Sequence, residues 1–84
     1  MATDDEVLQF IRALARSELE IFRPIEPGDD LLKDLALDSL SLTVLAVGLE
    51  NRFRVKLSEA DAEGVRTVGD LARHVALRTT EVVQ

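Results

Sequence analysis

Apolar residues recur along the chain at helical spacing in three separate stretches. Val7, Leu8, Ile11, Leu14 and Ala15 fall on one face, with Arg12, Arg16 and Glu20 off it. Thr3 and Glu6 stand ahead of them at capping-box spacing, which predicts a first helix from about Asp4 to Leu19. Pro24, Pro27 and Gly28 then break the pattern. The segment IFRPIEPGDDLLKDLAL is read as one long connection. Ile21, Phe22, Ile25, Leu31, Leu32, Leu35 and Leu37 are too many apolar residues for a free linker. The connection is therefore expected to lie across the other helices, with a short helical turn at Leu31–Leu35.

Asp38 and Ser39 are both good N-cap types, and no proline follows until past Phe53. Leu42, Leu45, Leu49 and Phe53 repeat at helical spacing, so a second helix is predicted over Ser39–Phe53. Gly48 inside it costs about 1 kcal/mol relative to alanine, which points to a close helix contact at that position. Arg54–Leu57 reads as an extended exit and Glu59–Glu63 as a short helical turn ended by Gly64. Thr67 and Asp70 repeat a capping spacing. Val68, Leu71, Val75 and the stem of Arg78 follow on one face of a last helix, and the tail TTEVVQ is expected to fray. The predicted fold is all-α: a small four-helix bundle of three main helices and one short one, forming a single domain over residues 1–84 with its core at about 4–78.

Composition narrows the picture. With 84 residues, the chain buries only roughly 60–65 % of its unfolded surface. It has no cysteine and one histidine, so neither a disulfide nor a structural zinc site is expected to hold it. Aliphatic packing must do so; 46 % of residues are hydrophobic but only Phe10, Phe22 and Phe53 are aromatic. The net charge of −6 argues against nucleic acid as a partner. The longest apolar stretch, Leu42–Leu49 interrupted by Thr43, is far short of the roughly 20 residues of a membrane span. The acidic start MATDDEV resembles neither a signal nor a transit peptide, so a cytoplasmic location is expected; the chain is also expected to be a monomer.

Candidate chemistry is confined to Asp38-Ser39-Leu40. A serine at a helix N-terminus stands beside unpaired backbone N–H groups and the positive end of the helix dipole, a favourable place for a phosphate-bearing group. Asp38 could hold a magnesium ion or steer a basic partner. Taken alone, the tripeptide reads first as a helix cap. His74 reads as a surface helix residue. Glu59, Asp61 and Glu63 read as a solvated turn, since they lack calcium-loop spacing, and Asp29-Asp30 as loop solvation.

The wider pattern changes the balance. DLALDSLSLTVLAVGLENRF resembles the acyl carrier protein family, whose usual form is DLGxDSLDxVELxxxLEEEF. FRVKLSEADAEGVRTVGDL resembles the family's FxVxIPxxDAExIxTVGDL. Together they span Asp34 to Leu71 in one register. The resemblance implies a four-helix bundle, a cytoplasmic location, and a 4′-phosphopantetheine arm on Ser39 within the motif Asp38-Ser39-Leu40. It implies a phosphopantetheinyl transferase that uses coenzyme A and Mg²⁺, and partners such as an acyl-loading enzyme or a ketosynthase. The chain itself is then a carrier and not an enzyme. Having no thiol, it needs the arm to form a thioester, and the arm keeps the cargo at high effective concentration.

The sequence departs from the family on the second helix, which is usually strongly acidic. Ser41, Thr43-Val44 and Asn51-Arg52 stand where carboxylates or their neighbours are usual, and only Glu50 remains. Ala36 replaces a common glycine. These departures point to a specialised carrier, in polyketide or other secondary metabolism rather than general fatty acid synthesis. Leu40, Val44 and Val47 share a helix face, with Glu50 at its far end, and are predicted to form a partner-docking stripe. The alternative is that Val44 packs under the long connection. Two other readings compete at the level of function. One is a peptidyl or aryl carrier, which usually shows Gly-Gly before the Asp/His-Ser pair. The other is a helical interaction module whose Ser39 is never modified.

Overall fold

The computed structural model describes residues 3–58, 61 and 63–81, the side chains of Thr80 and Glu81 excepted. Among the described residues three helices are present: α1 (Asp4–Glu18), α2 (Ser39–Phe53) and α3 (Val68–Glu81). The short turn expected at Glu59–Glu63 lies mostly outside the described residues. The last helix runs to Glu81, so at least three residues of the tail expected to fray are helical.

The chemistry of the first turn explains where α1 begins. Thr3 Oγ1 accepts from the Glu6 amide at 3.1 Å, and the Glu6 carboxylate accepts from the Thr3 amide at 3.0 Å. Val7, Ile11 and Ala15 then form a fully buried stripe. Leu45 and Leu49 from α2, and Val68, Ala72, Val75 and Ala76 from α3, complete the helical part of the core. Where α1 meets α2, Gly48 lets the backbones approach. A Cβ there would come within 2.7 Å of a Leu14 methyl carbon, which accounts for a glycine in mid-helix. The Phe10 and Phe53 rings meet edge to face, 5.6 Å apart, at the same pair of helices.

The long connection packs across the helices as expected. Ile25, Leu31 and Leu37 are buried, and Arg12 Nε donates to the Ile25 carbonyl at 2.9 Å. Its Asp29-Asp30 pair is not simply solvated. Asp29 Oδ2 accepts from the Glu26 amide at 2.9 Å, and Asp30 Oδ1 accepts from the Leu32 and Lys33 amides, both at 2.9 Å. Asp30 thereby caps the turn at Leu31–Leu35, closed by Asp34 and Leu35 amides returning to the Asp30 carbonyl. A backbone ladder ties this segment to the head of α3: Leu31 N to Arg66 O at 3.0 Å, Val68 N to Asp29 O at 2.9 Å, and Gly69 N to Pro27 O at 2.8 Å.

The same device closes α1 and the Leu31–Leu35 turn. Glu20 (φ 57°) and Ala36 (φ 55°) both take the left-handed conformation. The amides that follow them reach back, Ile21 N to Ala15 O at 3.0 Å and Leu37 N to Leu31 O at 3.1 Å. Ala36 therefore holds a backbone geometry that favours glycine.

Candidate functional site

The start of α2 divides two jobs between neighbouring residues. Asp38 is the N-cap: its backbone is extended, and its Oδ1 accepts from the Ser41 amide at 2.8 Å. That bond, with help from the Ser41 hydroxyl, holds the Asp38 carboxyl below its usual range. Ser39 is the first residue inside the helix, and the cap does not use its side chain. Ser39 is exposed, and among the described residues its hydroxyl makes no hydrogen bond. Its carbonyl accepts from the Thr43 hydroxyl at 2.9 Å, which anchors the first turn. No acidic residue lies within that turn, so an anion on Ser39 meets the helix dipole opposed only by the Asp38 cap.

Beside Ser39 opens a cleft of about 560 Å³. Leu42, Leu45 and Ala46 of α2 line it, opposite Leu31, Leu57 and Leu71. Its wall carries one polar group that the sequence reading missed. Asp61 Oδ1 accepts from His74 Nε2 at 2.9 Å and from Arg78 Nη1 at 3.0 Å, while Oδ2 accepts from the Ser58 amide at 2.7 Å and the Ser58 hydroxyl at 3.0 Å. The Asp61 side chain is only 15 % exposed, so it is not the solvated turn residue expected. The Ser58 amide first, then His74, the Ser58 hydroxyl and Arg78, lower its pKa to about 2. His74 is half-buried in the same cluster rather than on the open surface. His74 and Arg78 are four apart on α3, a spacing that puts two nitrogen-bearing side chains on one face and could have pointed to an acidic partner.

The predicted docking residues are placed unevenly. Leu40 is 72 % exposed and Val47 47 %, whereas Val44 between them is half-buried. A continuous exposed stripe needs all three open, and Val44 is only partly so. Glu50 turns its Oε2 to the Leu57 amide at 2.8 Å, so its carboxylate fastens the exit from α2. Among the described residues no group of three or more potential ligands could hold a metal ion, and no helix is long and apolar enough to cross a membrane.

At the head of α2 the aspartate cap leaves a serine hydroxyl free, with an apolar cleft alongside, an arrangement with room for a covalently attached group. The comparisons with known proteins agree. The family description "Phosphopantetheine attachment site" matches residues 9–75. The acyl carrier protein of Chlamydia caviae is 41 % identical over 54 residues, covering 64 % of this chain and 70 % of the relative. The meromycolate extension acyl carrier protein of Mycobacterium leprae is 33 % identical over 70 residues, 83 % of this chain and 56 % of the relative. A solved structure from Mycobacterium tuberculosis, described as a candidate acyl carrier protein, superposes with a TM-score of 0.69 at 33 % identity, covering 90 % of this chain and 97 % of that one. The chain belongs to the acyl carrier protein family. Its prosthetic group is 4′-phosphopantetheine, held covalently, and proteins of this family work with a phosphopantetheinyl transferase and with acyl-processing enzymes. The free hydroxyl and the adjoining cleft fit such a group, whose terminal thiol supplies the thioester chemistry that a chain without cysteine lacks.

Proposed function

We propose that Ser39 bears the arm through a phosphodiester, and that residues 1–84 act as a single carrier domain for acyl intermediates of a specialised pathway, polyketide or related, rather than of general fatty acid synthesis. The observation that carries the first part is the division of labour at the α2 head: Asp38 caps, and the exposed Ser39 hydroxyl is left over. Asp38 holds the turn that presents Ser39. The Ser39 and Leu40 amides have no intrahelical acceptor, as at any helix head. The cleft offers an apolar shelter for the cargo. One support for the specialised context is that Glu50 is the one carboxylate of α2 and is itself tied to Leu57. The Mycobacterium leprae relative named for meromycolate extension is a second support. The docking surface is centred on Leu40, Val44 and Val47 with Glu50 at its edge, and the carrier works in the cytoplasm as a monomer.

The test is intact mass. Protein incubated with coenzyme A, Mg²⁺ and a phosphopantetheinyl transferase should gain one phosphopantetheine, and Ser39→Ala should gain none. Modification that persists in Ser39→Ala removes the assignment.

A further inference from the structure

The end of α2 farthest from Ser39 carries charge of the opposite sign to the chain as a whole. Arg52, Arg54 and Lys56 follow one another at alternate positions in a chain of net charge −6, and all three are exposed. Val55, between the last two, is buried and leaves the cations on the solvent side. Among the described residues none of the three forms an ion pair, whereas Arg23, Arg66 and Arg78 each reach a carboxylate, at 3.7, 3.8 and 3.0 Å. Glu50, the one acid of α2, is committed to the Leu57 amide at 2.8 Å. A helix C-terminus offers roughly half a negative charge, enough to account for one cation but not for three. Two of the three are also held in place. The Arg52 guanidinium lies over the Phe53 ring, 5.1 Å from its centroid, and Phe10 braces that ring edge-on. Arg54 closes the helix in the left-handed conformation, φ 57° and ψ 47°, which glycine takes freely and arginine only with strain. That strain marks no site by itself, since Glu20 and Ala36 share it, but here it falls on an unpaired cation between two others.

We infer that Arg52, Arg54 and Lys56 form a second docking surface, for an acidic segment of a partner protein, separate from the apolar face around Leu40. Charge complementarity commits the partner: three uncompensated cations on an acidic protein attract carboxylates and repel a basic surface. The sign is the reverse of the acidic second helix usual in the family, so an enzyme that reads carboxylates on its carrier finds none to read at this end. The surface begins about 21 Å along the axis from Ser39, at 1.5 Å for each of the steps from Ser39 to Phe53. A partner held there need not cover Ser39, and the inference does not depend on an arm at that residue.

The experiment titrates the isotope-labelled full chain with a hexaglutamate peptide and follows the backbone amide signals by NMR, with hexalysine and phosphatidylserine vesicles as comparisons. Hexaglutamate should move the signals of residues 51–57 and leave those of 39–43 in place, and its Kd should rise about tenfold between 50 and 300 mM salt. The triple variant Arg52→Gln, Arg54→Gln, Lys56→Gln should lose the response while its melting temperature stays close to the parent's, because no ion pair or core contact is removed. Should the triple variant fail to fold, Arg54→Gly with Lys56→Gln keeps Arg52 on Phe53, relieves the backbone strain and should still weaken binding about fivefold. No response at 50 mM salt overturns the inference, as does a response centred on other cations such as Arg16 or Arg73, or one that the folded variant retains. A response to the vesicles without one to hexaglutamate also overturns it, and assigns the surface to an anionic membrane instead.

Discussion

Gly69 lies directly against Pro27: its amide donates to the Pro27 carbonyl at 2.8 Å, and a Cβ on Gly69 would stand 3.0 Å from that same oxygen and 3.2 Å from the Pro27 Cβ. The contact belongs to the ladder that joins the long connection to α3, and the ladder sets Leu31 and Arg66 in the cleft wall. Gly69→Ala should therefore destabilise the protein by about 1–3 kcal/mol, because the atom in the way is backbone and cannot rotate aside. Alanine's better helix propensity, worth about 1 kcal/mol, offsets only part of that. Urea unfolding followed by circular dichroism measures it. An unchanged midpoint would show that the ladder gives way easily.

Ala36 offers the opposite case. Its φ of 55° places an alanine where the left-handed region costs an L-residue roughly 1–2 kcal/mol. Ala36→Gly relieves that and loses roughly 0.5–1 kcal/mol to backbone entropy in the unfolded chain. A net gain of about 0.5–1 kcal/mol is expected, even though the change adds a glycine. Gly28 supplies the control. A Cβ there meets nothing within 4 Å and its φ is not positive, so Gly28→Ala should stabilise as well, by about 0.4–1 kcal/mol. Loss of stability in Ala36→Gly would refute the strain.

These contacts show what the sequence makes legible and what it does not. The helix starts were readable because a cap is local: Thr3 with Glu6, and Asp38 or Ser39 before Leu42. The core face of α2 was readable because Leu45 and Leu49 repeat at helical spacing, and both are buried. Which of Asp38 and Ser39 caps was not, since both are good cap residues and the choice is made by backbone placement. The Asp30–Thr67 bridge and the Asp61–His74–Arg78 cluster join residues far apart in sequence, and no local rule pairs them. Asp61 looked like one more acid in an acidic turn. Periodicity likewise placed Val44 on the right face with Leu40 and Val47, but periodicity gives direction and not depth, and Val44 sits deeper than its neighbours.

Asp61 predicts an acid dependence. Its folded pKa, about 2 against an ordinary 3.8, is depressed, so its contribution to stability is present above about 3.8 and is lost as pH falls through about 2. Asp30, Asp38 and Asp70 are lowered too, each first by a backbone N–H, and add to the same fall. Asp61→Asn should be less stable than the parent at pH 7, and the gap should close as pH falls from 4 towards 2. Thermal melts across that range provide the measurement. A gap that stays constant would mean that the charge of Asp61 does not matter to folding.

Leu40 and Val47 leave the largest apolar surface of α2 open to solvent, one residue and about two turns from Ser39. Leu40 is next to Ser39, so with the arm at the proposed serine any enzyme that reaches it must pass over Leu40. Burying a leucine side chain of this exposure in an interface contributes roughly 1.5 kcal/mol or more, about a tenfold change in affinity. Leu40→Ser should therefore raise KM about tenfold with the carrier's own acyl-processing enzyme, while the melting temperature stays within about a degree because no core contact is lost. Val44 separates two roles. It is half-buried, so Val44→Glu should lower the melting temperature moderately as well as weaken docking. Contact of this kind is apolar, and KM should change little between 50 and 300 mM salt, whereas docking through paired charges weakens steeply as the salt screens them. An unaltered KM in a well-folded Leu40→Ser protein would move the docking surface off this face of α2. A steep salt dependence would instead assign recognition to the acidic residues outside it.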